Sequence, residues 1–364
     1  MRIGVDGREF VKGKNTGTAR YLRHFLKEAP RQKPDWEFFV FIHHGCDYRN
    51  SCPNVFVQKV PQPTVIFWDQ IVLPALLRHF AVDRFLNPYL KYPLTTPCPM
   101  TLIINDLAAF EVSSIPLSRR FYFRSLVKRA ARKARNILTI SEYSRRRISS
   151  LLAIPSQRVH VVHLAVEESY RPLEKPDPAL LSRYGIRAPY LLYVGDLKPL
   201  KNVGFLLETY AKLPAPLRER YQLVIAGSWG TGFSDVKRQS EALGIAARTI
   251  CCGFIEEADL PKIYAQAALF VYPSLYEGFG LPPLEAMACG VPVVCSNRTS
   301  LPEVVGEGGL LLDPKDTSAW PETVQRLLTQ DEARRQLAAR GLARAKHFTL
   351  EKTAERFLKA LEEE

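Results

Sequence analysis

The 364-residue chain contains no run of about 18 or more apolar residues, so no membrane-spanning helix is expected. No leader is expected either: Met1-Arg2-Ile3-Gly4-Val5-Asp6-Gly7 reads as a first β-strand rather than a signal peptide. The seven cysteines are scattered, Cys251 and Cys252 are adjacent, and no CxxC pair with zinc spacing occurs. That pattern excludes a disulfide framework and a zinc module, and it points to reduced, mostly buried thiols in a cytoplasmic protein. There is no D-x-D triplet to hold a metal, no internal repeat and no low-complexity segment.

What the chain does have is length, alternation and an uneven charge. A chain this long with 46% apolar residues is too large for one ordinary core and implies two domains. The net charge is +13, and all of it sits in residues 1–170, with 26 Lys+Arg against 13 Asp+Glu; residues 171–364 hold 24 of each. One half therefore faces something acidic. Strand-like runs fall at 2–6, 37–42, 54–59, 100–104, 136–140 and 159–163, then at 190–194, 221–226, 249–253, 269–273, 291–295 and 309–312. Amphipathic helical stretches such as "ARYLRHFLKEA" lie between most of them. Near-continuous apolar strands alternating with helices indicate parallel sheets covered on both faces. The polar, proline-rich segment 166–189 reads as a linker. The expected organisation is α/β: two Rossmann-like, doubly wound domains, 1–167 and 168–347, facing a cleft. A C-terminal helix follows at 348–364, and its crossing back to the first domain is left open. In such folds ligands sit at the carboxyl ends of the strands.

One stretch carries most of the chemistry: "PSLYEGFGLPPLEAMACGVPVVCS", residues 273–296. A buried strand precedes it, Gly278 and Gly280 allow close approach of a ligand to the backbone, and Pro282 or Pro283 suits the first position of a helix. Gly290 suits that helix's C-terminal cap. The helix N-terminus favours phosphate. Glu285, read in the first turn, can accept two hydrogen bonds from a vicinal diol such as a ribose; Glu277, at the strand end, can address sugar hydroxyls. Each alone is as readily a capping group or a solvated carboxylate. Together in a strand–glycine loop–helix unit they read as a site.

"EGFGLPPLE" resembles the E-x7-E signature of the retaining glycosyltransferases of family 4, the glycosyl transferases group 1, and the similarity extends over residues 251–314. "YVGDLKPLKN" (193–202), "TISEYSRRRI" (139–148) and "INDL" (104–107) resemble further segments of the same family. The resemblance implies a GT-B fold and transfer of a hexose from a nucleotide sugar. GDP-mannose is the favoured donor, a UDP-sugar the alternative, and no cofactor or metal is implied. By position, Glu285 would hold the ribose, Glu277 would contact the transferred sugar, and the N–H groups around Phe279, Gly280 and Leu281 would hold the donor phosphate and sugar. Lys201 matches the lysine that neutralises the diphosphate. Phe254 and Ile255 fall in the base-binding segment, and Gly17 in "KNTGTARY" falls in a glycine loop near donor and acceptor. The chain departs from the family twice. Leu200 stands where many members have Arg, with Lys198 as a substitute charge, and Asn105 stands where members usually have His beside the sugar. Asn can hydrogen-bond a hydroxyl but cannot become cationic.

Residues 117–147 hold eleven Lys+Arg and one acid, Glu142. A solvated basic helix and contact of 119–147 with an anionic membrane fit equally; no nucleic-acid motif accompanies the charge. The expected activity is a retaining, metal-independent transfer to a glycan or lipid-linked acceptor in cell-surface polysaccharide or lipopolysaccharide assembly, in the cytoplasm or peripherally at the inner membrane face. The competing readings are a GT-B epimerase or phosphorylase and a donor-binding pseudoenzyme or partner subunit.

Overall fold

Each strand-like run of the sequence forms a strand, and one more appears between them. The computed structural model describes residues 1–12, 16–50, 52–62, 64–89, 92–111, 117–227 and 232–363. The first set of strands is β1 (Arg2–Asp6), β2 (Glu37–Ile42), β3 (Val55–Lys59), β4 (Arg84–Asn87), β5 (Met100–Ile103), β6 (Asn136–Thr139) and β7 (Val159–Val161). The second set is β8 (Tyr190–Val194), β9 (Gln222–Ala226), β10 (Thr249–Gly253), β11 (Leu269–Tyr272), β12 (Val293–Ser296) and β13 (Leu310–Leu312). The additional strand is β4. Only "RFLN" marks it, between charged Asp83 and Pro88, too short a run for alternation to show.

Every pairing between these strands is parallel. The sheet orders among the described residues are β3-β2-β1-β4-β5-β6-β7 and β10-β9-β8-β11-β12-β13. In each, the chain winds outward one way and then returns to the other side of the starting strand. The first sheet therefore switches direction between β1 and β4, the second between β8 and β11. The loops leaving the carboxyl ends of those strands part at that point and leave room for a ligand.

The chain separates into two compact units. One comprises Met1–Ala165 with Thr349–Glu364, the other Val166–Phe348. Part of the expected linker is helical: Pro178–Arg183 forms a helix capped by the Asp177 side chain, which accepts from Leu180 N–H. The helix Leu350–Glu362 joins the first unit because its apolar face has a partner there. Phe357 stacks on Phe25 at 4.3 Å and lies 4.9 Å from Tyr21. Thr353 Oγ1 donates to the His163 carbonyl at 2.9 Å. Burying Phe357, Leu358 and Leu361 contributes about 1.5–3 kcal/mol each. In the second unit the strands are apolar on both faces. All of β11, "LFVY", is buried, and Trp320 and Tyr221 close the core beneath the neighbouring helices.

Candidate active site

In the second unit the loops after β8 and β11 are tied together. Leu275 N–H donates to the Leu200 carbonyl at 2.8 Å, and Asn202 Nδ2 donates to the Pro273 carbonyl at 3.2 Å. Asn202 holds φ +56°, a left-handed conformation that asparagine tolerates better than most residues, and from it the helix Val203–Ala211 starts. These ties bring together two side chains 76 positions apart: Lys201 Nζ lies 2.6 Å from Glu277 Oε1.

The same carboxylate oxygen accepts from the Tyr272 hydroxyl at 2.7 Å, and that hydroxyl lies 3.5 Å from Lys201 Nζ. Tyr272 is fully enclosed and stacks on Tyr193 at 5.5 Å. Burial and the neighbouring Glu277 carboxylate push the Tyr272 phenol well above its ordinary value, so it remains a hydrogen-bond donor throughout the physiological range. The backbone of Glu277 is fixed as well. Its N–H donates to Thr299 Oγ1 at 3.0 Å, and Ser300 Oγ sits 2.9 Å from its carbonyl and 2.7 Å from that of Phe279. Thr299 has φ +54°, an uncommon conformation for a β-branched residue that costs on the order of 1–3 kcal/mol and persists only where its surroundings enforce it.

The glycine loop then enters the helix Leu281–Ala288 through Gly280 at φ +119°. A Cβ on Gly280 would lie 2.8 Å from Leu301 Cδ2, so a side chain there meets both strain and a clash. The helix begins at Leu281, one residue before the first expected start, so Glu285 is its fifth residue and lies beyond the first turn. Pro282 and Pro283 have no N–H. The backbone donors left at this helix end are therefore those of Gly280 and Leu281, the positions assigned to phosphate from sequence. Gly290, at φ +74°, follows the helix, its N–H donating to the Met287 carbonyl at 3.0 Å.

Glu285 is buried, and its Oε2 accepts from the Tyr264 hydroxyl at 3.0 Å. Tyr264, on the helix Leu260–Ala265, packs against Tyr170 and Phe270. Each glutamate of the E-x7-E pair is thus backed by a buried tyrosine. Neither tyrosine was singled out from sequence, because a Tyr at the end of an apolar strand or on a helix face looks like core.

The remaining assigned residues of this unit are less concentrated. Lys198 is exposed and pairs with Asp196 at 2.8 Å. Phe254, in the loop after β10, is 71% exposed, whereas the adjacent Ile255 is buried. Phe279 is buried with its ring 5.8 Å from Phe348, and Leu281 is half-buried.

In the first unit, Gly17 opens the helix Gly17–Gln32, whose N-cap Thr16 accepts from Ala19 N–H at 3.1 Å. Gly13, Lys14 and Asn15 of its loop lie outside the described residues. A Cβ on Gly17 would meet nothing among the described residues within 4 Å. Asn105, after β5, donates from Nδ2 to Thr18 Oγ1 at 3.0 Å, while its Oδ1 is buried and accepts nothing from the described residues. Such an atom is uncommon, and it suits a hydroxyl donor brought by a ligand.

A buried ionic cluster at the end of β1 was not foreseen. Arg8 reaches Asp6 Oδ2 at 2.6 Å and Asp69 Oδ1 at 2.7 Å, with all three side chains buried. Its guanidinium lies 4.4 Å from the Tyr89 ring and 5.6 Å from that of Trp68. Trp68 is fully buried and opens a π-helical turn, Trp68–Val72. Tyr89 follows β4, the strand whose shortness hid it.

The helix Leu117–Lys133 carries the basic stretch. Val127, Ala130 and Ala134 face the core, and Arg129, Arg132 and Lys133 are exposed. The side chains of 117–123, including Arg119 and Arg120, lie outside the described residues. Among the described residues no group of His, Cys, Asp or Glu is placed to hold a metal, and no helix is long and apolar enough to cross a membrane.

The family model described as "Glycosyl transferases group 1" matches residues 185–344. The chain is 42% identical to the O-antigen chain mannosyltransferase B of Escherichia coli, over 96% of this chain and 97% of that one. Among solved structures it is similar to the sucrose-phosphate synthase of Thermosynechococcus elongatus, with TM-score 0.77, 20% identity, and 98% and 97% of the two chains covered. It is also similar to Anabaena HepE in complex with UDP-glucose, with TM-score 0.77, 16% identity, and 99% and 98% covered. These neighbours share the GT-B arrangement of two parallel-sheet α/β domains.

Proposed function

The chain belongs to the glycosyl transferases group 1 and is a glycosyltransferase, and from that membership we propose that it is a retaining mannosyltransferase of lipopolysaccharide O-antigen assembly. The observation that carries the reading is the Lys201–Glu277 pair at the switch point of the second sheet. A nucleoside diphosphate leaving group develops negative charge that must be met in the transition state. Lys201, with the N–H groups of Gly280 and Leu281, supplies what a metal supplies elsewhere. Glu285 receives the ribose diol, and Glu277 receives hydroxyls of the transferred sugar. Exposed Phe254 offers a ring face beside the nucleobase. In the first unit, Asn105 Oδ1 and the helix start at Gly17 are assigned to sugar and acceptor hydroxyls. The 42% identical relative's name favours mannose as the transferred sugar, and the family resemblance favours GDP-mannose as its donor; the UDP-glucose bound to HepE keeps a UDP-sugar as the alternative.

The test is sugar transfer from a panel of nucleotide sugars to a mannose-containing acceptor, with the product's anomeric configuration read by NMR. Transfer from GDP-mannose with retention, undiminished by EDTA, is the expected result. Activity lost with chelator and restored by manganese overturns the metal-independent mechanism. Inversion overturns the stereochemical assignment.

The acceptor side of the reading includes an anionic membrane. Exposed Ile66, Phe67, Ile71 and Leu94 lie around Gln70, whose side chain bonds Tyr92 O at 3.1 Å and Leu94 N–H at 2.9 Å. Lys133 Nζ lies 3.5 Å from the Pro93 carbonyl, bringing the basic helix to the same surface. Each basic residue near an anionic bilayer adds about 1 kcal/mol. The protein should therefore sediment with phosphatidylglycerol vesicles and not with phosphatidylcholine ones. Binding should fade as added salt shortens the screening length from about 10 Å at 0.1 M to about 3 Å at 1 M. Equal binding to both vesicles, or none at low salt, would leave the helix a solvated surface.

A further inference from the structure

Lys201 is not waiting free for a diphosphate. It is already neutralised, at 2.6 Å, by the carboxylate assigned to the transferred sugar. A pair this close, with side chains 20% and 10% exposed, is only partly screened by water. A dianionic diphosphate cannot approach Lys201 while Glu277 holds it without facing a like charge. Glu277, for its part, cannot give its Oε1 lone pairs to sugar hydroxyls while the ammonium and the Tyr272 hydroxyl occupy them. Tyr272 touches both partners and cannot follow the lysine, because its ring is locked between Tyr193 at 5.5 Å and Phe270 at 5.7 Å.

We propose that Glu277 is the stand-in counter-ion of Lys201 in the donor-free enzyme, and that the donor's diphosphate displaces it while Tyr272 keeps the carboxylate in place to receive the sugar. The inference rests on the reading of Lys201 as the diphosphate's partner. It makes Tyr272 a positioning residue for the reaction and Glu277 a brake on nucleotide binding as well as a sugar contact. A ligand offering a sugar without a diphosphate cannot release Glu277. A nucleoside diphosphate without a sugar gains Lys201 but leaves Glu277 held by Tyr272 alone.

The test is calorimetric binding of GDP, or of UDP if GDP does not bind the wild type, alongside the matching nucleoside. In Glu277→Gln the amide still accepts from Tyr272 but no longer competes for Lys201. Diphosphate binding should tighten about fivefold or more, with nucleoside binding unchanged and turnover lower. The gain should vanish in a Lys201→Ala background. Equal or weaker diphosphate binding by Glu277→Gln overturns the proposal. So does a gain that survives in Lys201→Ala, since general charge repulsion would then account for it. Tyr272→Phe keeps the buried ring, and its thermal midpoint reports on folding. Its kcat should fall at least about tenfold with donor KM little changed; wild-type kcat overturns the role of Tyr272. If Lys201→Ala alone leaves diphosphate affinity at the wild-type value, the functional reading of Lys201 fails, and the inference falls with it.

Discussion

Lys201→Ala should lower kcat/KM for the nucleotide-sugar donor by about 30- to 1,000-fold, equivalent to roughly 2–4 kcal/mol of transition-state stabilisation. In the proposed role the lysine meets charge that grows as the diphosphate departs, so the loss should fall more on kcat than on KM. Lys201→Arg keeps the charge but replaces a compact ammonium with a planar fork that would have to share Glu277 and Tyr272, and should recover only part of the rate. Steady-state kinetics of the three proteins, with thermal midpoints to confirm folding, decide the matter. A change of less than about twofold in Lys201→Ala would mean that the backbone N–H groups alone hold the diphosphate.

The largest stability effect should come from outside the glycine-loop site. Arg8→Met removes the cation that pairs with both Asp6 and Asp69 and leaves two buried carboxylates without it. Breaking a buried ion pair from one side costs about 3–5 kcal/mol, and the first unit should lose that much against denaturant. The pH dependence has a definite sign. Burial already raises the Asp6 carboxyl above its ordinary value despite Arg8, and without Arg8 it should rise further. An acid whose folded-state pKa exceeds its unfolded one binds its proton more tightly when folded. The mutant's deficit should therefore be full at neutral pH and shrink as pH falls through that raised value toward the ordinary carboxylate range. Urea titrations of both proteins at pH 7 and pH 5 measure it. A deficit under about 1 kcal/mol at pH 7 would mean that water reaches the cluster.

Both cases bear on what can be read without coordinates. Parallel sheets announce themselves because strands buried on both faces are apolar throughout, as β11 is. β4 escapes because four residues between Asp83 and Pro88 carry too little pattern. With it went Tyr89 and the Arg8 cluster, which exists only once the ends of β1 and β4 and the turn at Asp69 are brought together. The glutamates of the glycine loop stand out because charge is conspicuous between apolar strands. Tyr272 and Tyr264 do not, since their rings obey the same burial rule as the core and only their hydroxyls have chemistry to offer. The side chain of Thr299 gives no hint of its left-handed backbone, because the surrounding fold imposes that conformation. The start of the helix after Gly280 was off by one residue, since Leu281 supplies a first helical position as well as a proline does and Gly280 already makes the turn.

The helix Leu350–Glu362 belongs to the first unit although all of the second unit separates it in sequence. During synthesis on the ribosome, residues 1–165 therefore emerge with Tyr21 and Phe25 lacking the cover of Phe357, and they wait for the whole second unit to be translated before that gap is closed. The second unit is one uninterrupted segment and meets no such delay. The order of maturation is thus the reverse of the order of translation: the second unit can complete itself first, and the first unit is sealed last.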